Sequence, residues 1–333
     1  MKTFAFLFHP TSMRQVKHFW PITTILPDSV VPSFLKNKDF KVLHIKKFKS
    51  ASGKEIQGFL ICCPMSPEQI FETDEETILD KIVSAGYLAR KLEAQIMGVS
   101  GYFSAATDKK PMIYKHVKTA ITSGSSFSAW SIFEALYRTA KDRHLHLKTA
   151  TLTIFSPTNT ISSLCARKLA DHVGKIILSG GPTEKLDSLR DLLRKTNTIP
   201  IEIEQDTPKA IKQADIILNS YNGPSVLFNM NDVKPETILC DAAVFKHVAE
   251  KARQRKDLTV LDCGIIKLPL GQKISLHQGI PDHAIYAPMA EAMLLALEDK
   301  CVNFSLGENV NMDKMEDIAN MAAMHGFEIE IPD

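Results

Sequence analysis

Between residues 147 and 269, short apolar runs alternate with helical patterns at a regular rhythm. Residues 149–155 are rich in β-formers. Residues 161–173 carry Ile161, Leu164, Cys165, Lys168 and Leu169 at helical spacing. Strand patterns over 175–178, 199–204, 215–219, 237–240 and 258–261 are separated by helical ones over 184–195, 208–213 and 244–255. Parallel strands cannot be joined by a tight turn. They need a crossover, which a helix supplies. The rhythm therefore predicts an α/β chain whose residues 147–269 form a Rossmann-like, doubly wound parallel sheet.

The flanks are less regular. Phe4, Phe6 and Phe8 alternate as in a half-buried strand. Thr73-Asp74-Glu75-Glu76 reads as a capping box opening a helix with Ile78, Leu79, Ile82, Val83, Leu88, Leu92 and Ile96 on its apolar face. The small-residue run Thr122-Ser123-Gly124-Ser125-Ser126 leads into a helix over 127–141. Two more helices are predicted over 286–299 and 312–325, with Gly326 as C-cap. The expected organisation is a substrate-binding α/β lobe at 1–146, the Rossmann-like domain at 147–269, and C-terminal helices at 270–333 packing back on the first lobe.

Net charge is +2 with no long run of one sign, which argues against nucleic acid as the main partner. Lys46, Lys47 and Lys49 read as a solvated strand edge, with an acidic carrier protein as the alternative occupant. The six cysteines form no C-x-x-C pair, and their spacing suits neither zinc nor a disulfide framework, so free thiols in a reducing cytoplasm are expected. No apolar run approaches the ~18 residues of a membrane span, and the short apolar N-terminus lacks a signal-peptide pattern. His144-x-His146 in a basic segment is no metal motif, and no metal is expected.

Ala287-Pro288-Met289-Ala290-Glu291 with Asn303-Phe304-Ser305-Leu306-Gly307 resembles the C-terminal signature of the long-chain acyl-[acyl-carrier-protein] reductases. Further matches occur in the same order. They are His9-Pro10-Thr11-Ser12, Gly101 with Ser104, Thr122-Ser123-Gly124, Ser128-Ala129-Trp130, Ala214-Asp215-Ile216-Ile217, Met315-Glu316 and His325-Gly326-Phe327. The resemblance implies reduction of a carrier-bound acyl thioester to an aldehyde, with NADPH and a covalent acyl-cysteine.

Three parts of that machinery differ. Where the family has its nucleophilic cysteine stands Pro288, which suits a first helical turn but offers no thiol. The glycine-rich phosphate loop is replaced by Ser156-Pro157-Thr158-Asn159-Thr160-Ile161-Ser162. Its hydroxyls and the following helix N-terminus are candidate phosphate ligands, with Thr160 capping the helix as the simpler reading. The family's arginine after the second strand is absent from Ser179-Gly180-Gly181-Pro182.

The candidate cofactor-binding residues are thus Ser156, Thr158, Asn159, Thr160, Ser162 and Ser179, for NADP(H) or a flavin. Glu291 and His9 are the candidate acid–base residues. Ser125, Ser126 and Pro288 are candidates for binding substrate. The expected function is an oxidoreductase at the alcohol–aldehyde or acyl–aldehyde level in lipid or secondary-metabolite biosynthesis, acting on a small or carrier-bound substrate without an acyl-cysteine. Cys263, after a predicted strand, is a substitute nucleophile on a less favoured reading. The competing function is a non-catalytic protein that binds a carrier protein or an apolar ligand.

Overall fold

The computed structural model describes all residues except 37, 158, 222–227, 244–245, 277–278, 308–309 and 332–333. The chain forms two compact units, Met1–Phe127 with Ile265–Glu328, and Ser128–Gly264 with Ile329–Asp333.

The first unit holds a five-stranded sheet of β1 (Lys2–Phe8), β2 (Lys41–Lys49), β3 (Glu55–Cys62), β4 (Ile96–Val99) and β5 (Ala120–Thr122), in the order β2-β3-β1-β4-β5. β3, β1, β4 and β5 run parallel, and β2 is antiparallel to β3. β2 is an exposed edge, and its Lys46, Lys47 and Lys49 point to solvent, charges that oppose edge-to-edge pairing with another strand. The helix Ala287–Leu297 lies against β1, β3, β4 and β5. It is buried on nearly every face, which is why its sequence carries no polar stripe. β12 (Ile265–Lys267) and β13 (Ala284–Tyr286) pair antiparallel just before it.

The helix expected to begin with a Thr73 capping box is instead capped by Asp74. The Asp74 carboxylate accepts hydrogen bonds from the amide and hydroxyl of Thr77, each at 2.8 Å. Thr73 ends the preceding helix, Pro67–Glu72, by donating its hydroxyl to the Gln69 carbonyl. The true capping box is Ser66 with Gln69. Asp74→Ala should therefore lower stability by about 1 kcal/mol in urea denaturation. An equal loss from Thr73→Ala and none from Asp74→Ala would reverse that assignment.

The second unit carries β6 (Thr151–Phe155), β7 (Lys175–Ser179), β8 (Ile201–Ile203), β9 (Ile216–Asn219), β10 (Ile238–Asp241) and β11 (Thr259–Asp262). All pair parallel in the order β11-β10-β9-β6-β7-β8. This is the doubly wound Rossmann-like sheet expected from the rhythm. Its order reverses between β6 and β9, the place where such sheets open a ligand crevice at their carboxyl ends.

The helix read over 244–255 is shorter, His247–Ala252. The buried Asp241 carboxylate accepts from Ala243 N, Ala249 N and Asn219 Nδ2 at 2.8–3.2 Å. Cys240 and Cys263 are disulfide-bonded, which corrects the reading of both as free buried thiols. Their sequence separation carried no such hint, because two neighbouring parallel strands place them side by side.

Candidate active site

β1, β4 and β5 are parallel, so the segments following Phe8, Val99 and Thr122 emerge at one edge of the first sheet. That edge gathers the stretches beginning at His9, Ser100 and Ser123. The 303–306 segment runs along β5, with Phe304 N donating to Ile121 O and Ser123 N donating to Ser305 O.

Glu291 is fully buried on the helix Ala287–Leu297. Its carboxylate accepts a short bond from the Thr122 hydroxyl and a 2.8 Å bond from Phe127 N. Thr122 Oγ1 in turn accepts from Ser305 N, and Ser305 Oγ donates to Ser126 Oγ at 2.8 Å. Burial pushes the Glu291 carboxyl upward, against the hydrogen bonds that favour its charge.

A second acid, Asp108, joins this network. It takes the Ser125 hydroxyl at 2.7 Å, and Ser123 Oγ is 2.9 Å from Ser125 Oγ. Burial raises its carboxyl too. Sequence reasoning missed Asp108, since only the sheet order brings the helix Tyr102–Lys109 beside Ser125; a lone acid near a helix end gave no signal.

Of the expected site residues, Glu291, Ser125, Ser126 and Pro288 thus come together. Ser125 and Ser126 are fully buried, with hydroxyls committed to Asp108 and Ser305. Pro288 occupies the first turn of its helix and covers the Gly124 turn. An added Gly124 Cβ would lie 2.3 Å from Pro288 Cα, and Gly124 itself sits at φ +76°.

His9 stands apart from this group on the same sheet edge. It is 2% exposed, and its Nδ1–H donates to Pro10 O at 3.0 Å. Its Nε2 would lie 2.5 Å from a Cβ on Gly101, where φ is +60°. Burial pushes its pKa down to about 4, against the Pro10 bond that favours the charged form. The ring is neutral at physiological pH, packed near Tyr102 and Phe103, and does not titrate near neutrality.

In the second unit, the loop after β6 leads into the helix Thr160–Ala170. The cap is Asn159, not Thr160. Asn159 Oδ1 accepts from Ser162 N at 2.9 Å and Ser162 Oγ at 3.0 Å. Thr160 and Ile161 open the first turn, where backbone donors lack intrahelical acceptors.

Ser156 has a positive φ of 55°, at the start of the loop where the resembled family has glycine. Its N–H donates to Ser179 O. Across the order reversal, Asn159 Nδ2 donates to Ser220 O at 3.4 Å, and Ser220 Oγ lies within 2.9 Å of the Phe155 and Ser156 carbonyls. Ser179 Oγ is buried at the end of β7 without a hydrogen-bond partner among the described residues. Thr158 lies outside the described residues.

No described free cysteine is activated. Burial raises the thiol pKa of Cys62, Cys63 (to about 12), Cys165 and Cys301. Cys263, once a candidate nucleophile, is tied to Cys240. Among the described residues, no cluster of metal-ligating side chains is found, and no helix is long and apolar enough to cross a membrane.

No protein-family model matches the chain. It is 21% identical to aminotransferase PigE of a Serratia species over 336 residues, 97% of this chain but 39% of that protein. Shikimate dehydrogenase from Aquifex aeolicus aligns with a TM-score of 0.43 and 11% identity, covering 96% of this chain and 97% of the other. The long-chain acyl-[acyl-carrier-protein] reductase of Synechococcus elongatus is 27% identical over 294 residues. With 84% of each chain covered, the protein is its distant homologue.

Proposed function

We propose that the protein is a nicotinamide-nucleotide oxidoreductase acting on a carbonyl, at the alcohol–aldehyde or acyl–aldehyde level. The carrying observation is the six-stranded parallel order with its reversal between β6 and β9, in a distant homologue of a reductase. The residues at this reversal fit a dinucleotide in part. The Thr160 and Ile161 N–H groups would hold phosphate at the start of an 11-residue helix. The orphaned Ser179 hydroxyl lies at the end of β7, where Rossmann sheets read the ribose. Ser179-Gly180-Gly181-Pro182 supplies neither a cation for a 2′-phosphate nor an acidic side chain for a free ribose hydroxyl, so NADH and NADPH are both carried into the test below.

The nucleotide, when bound, supplies hydride. What remains for the protein is orientation and proton handling. Burial raises the Glu291 and Asp108 carboxyls against the hydrogen bonds that favour their charge, and these two acids are the candidates for passing a proton to a developing alkoxide. An acyl-cysteine is no part of this reading. Pro288 carries no thiol, and every described free thiol has a raised pKa. The substrate is a small or carrier-bound acyl or aldehyde.

Calorimetric titration with NADH, NADPH, FMN and FAD tests this reading, followed by oxidation of the bound nucleotide with fatty aldehydes and acyl-carrier thioesters. Thr160→Glu should weaken nucleotide binding about tenfold or more, through repulsion of phosphate. It should leave the melting temperature unchanged or raised, because a first-turn acid favours the helix dipole. A second reading, a non-catalytic binder, draws on the internal bonding of Ser125, Ser126 and Asn159. Absence of heat with all four nucleotides would select it.

A further inference from the structure

At the opposite edge of the first sheet, where β3 begins, the β2–β3 hairpin turn meets the end of the helix Met312–His325. Ala51 N donates to His325 O, and Gly326, at φ +75°, lets the chain pass Ala51 closely. His325 is fully buried. Its Nε2 is 2.8 Å from Glu298 Oε1, and its Nδ1 is 2.9 Å from Ser52 Oγ.

The tautomer follows from the neighbours. Lys54 Nζ sits 2.6 Å from the same Glu298 oxygen, and this ammonium, followed by His325, holds the Glu298 carboxyl below its ordinary range. An ionised carboxylate only accepts, so Nε2 carries the hydrogen and donates it. Nδ1 is then a lone pair facing the serines. Ser50 Oγ, 3.1 Å from Nδ1, is buried and has another acceptor in the Lys54 carbonyl at 3.2 Å. Ser52 is exposed, and its hydroxyl lies within reach of Nδ1 and of Ser50 Oγ. Hydroxyl, imidazole and carboxylate therefore form a nucleophile, a base and an orienting group in sequence.

We propose that Ser52, His325 and Glu298 form a second reactive site that takes activated acyl groups, namely short esters or thioesters with weakly basic leaving groups. Ser52 Oγ bonds to the acyl carbon while its proton passes to His325 Nδ1. The bond to the leaving oxygen or sulfur breaks, and that atom departs with the same proton. The product is an acyl ester on Ser52 and a free phenol or thiol. Water entering along the same route hydrolyses the ester, releases the acid and restores the hydroxyl. The exposed turn suits short acyl groups. His325 stands in the His325-Gly326-Phe327 match to the resembled family, and its buried bonding to a serine and a glutamate gives it this role.

The protein incubated with p-nitrophenyl acetate tests the site, with release of p-nitrophenol followed by absorbance and the adduct located by peptide mass spectrometry. The expected result is an acetyl ester on Ser52, absent in Ser52→Ala, whose exposed turn position leaves folding intact. Glu298→Gln keeps a hydrogen-bond acceptor but not the charge, and should slow labelling about a hundredfold or more. Ser50→Ala should label at close to the parent rate. Acetyl groups found only on lysines or cysteines, or Ser52 labelling that Glu298→Gln leaves unchanged, would overturn the proposal.

Discussion

Gly124→Ala is expected to destabilise the first unit by about 2–5 kcal/mol. An alanine at φ +76° costs about 1–2 kcal/mol, and forcing a methyl into a packed site adds about 1–3 kcal/mol. The methyl would meet Pro288 at 2.3 Å from Cα and 2.4 Å from Cβ, so backbone must move. The displaced turn carries Ser123, Ser125 and Ser126, and with them the hydrogen bonds that seat Asp108 and Glu291. Activity should therefore fall with stability. Urea denaturation midpoints of the two proteins measure the effect. A Gly124→Ala midpoint equal to the parent's would mean that Pro288 does not cover this turn.

Acidification should weaken the fold by as much as about 3.5 kcal/mol through His9 alone. Its folded pKa is about 4 against an ordinary 6.5, a depression of about 2.5, and each pKa unit is worth ~1.4 kcal/mol. The unfolded chain binds the proton first as pH falls. Stability from this group is full above pH ~6.5 and is lost progressively down to pH ~4. Glu291 and Asp108 work in the opposite sense. Their raised folded pKa values make the native state the better proton acceptor above the ordinary carboxyl range, so they recover stability as pH drops. Comparing the parent with His9→Gln at pH 7 and pH 4.5 isolates the histidine. The parent should lose more stability than the variant between the two conditions, and identical losses would place His9 in contact with solvent.

The Rossmann-like sheet was legible because its strands are buried on both faces and its helices on one, so the two periods alternate plainly from β6 to β11. The place of the reversal, between β6 and β9, was not, since pairing partners leave no trace in a single sequence. Glu291 could be singled out by its place beside Pro288 in the resembled motif. Its partners Thr122, Ser305 and Asp108 come from three segments that only the fold unites. Gly326 signalled its left-handed cap correctly, at φ +75°. The Thr73 error arose because Thr73 and Asp74 both suit a cap, and Asp74 lies one residue closer to the helix. The burial of Ala287–Leu297 on nearly every face erased the stripe by which an amphipathic helix is recognised.

The first unit is assembled from the two ends of the chain, with the helix Ala287–Leu297 seated on strands that were made far earlier. On a ribosome, β1 to β5 emerge without the helix that covers them, and their apolar face has to wait through the translation of the entire second unit. Ser128–Gly264, whose sheet and crossover helices are contiguous, has what it needs to fold before the helix Ala287–Leu297 is made, while the strands β1 to β5 wait for that helix. Truncation shortly before Ala287 would therefore cost the beginning of the protein its structure while sparing its middle.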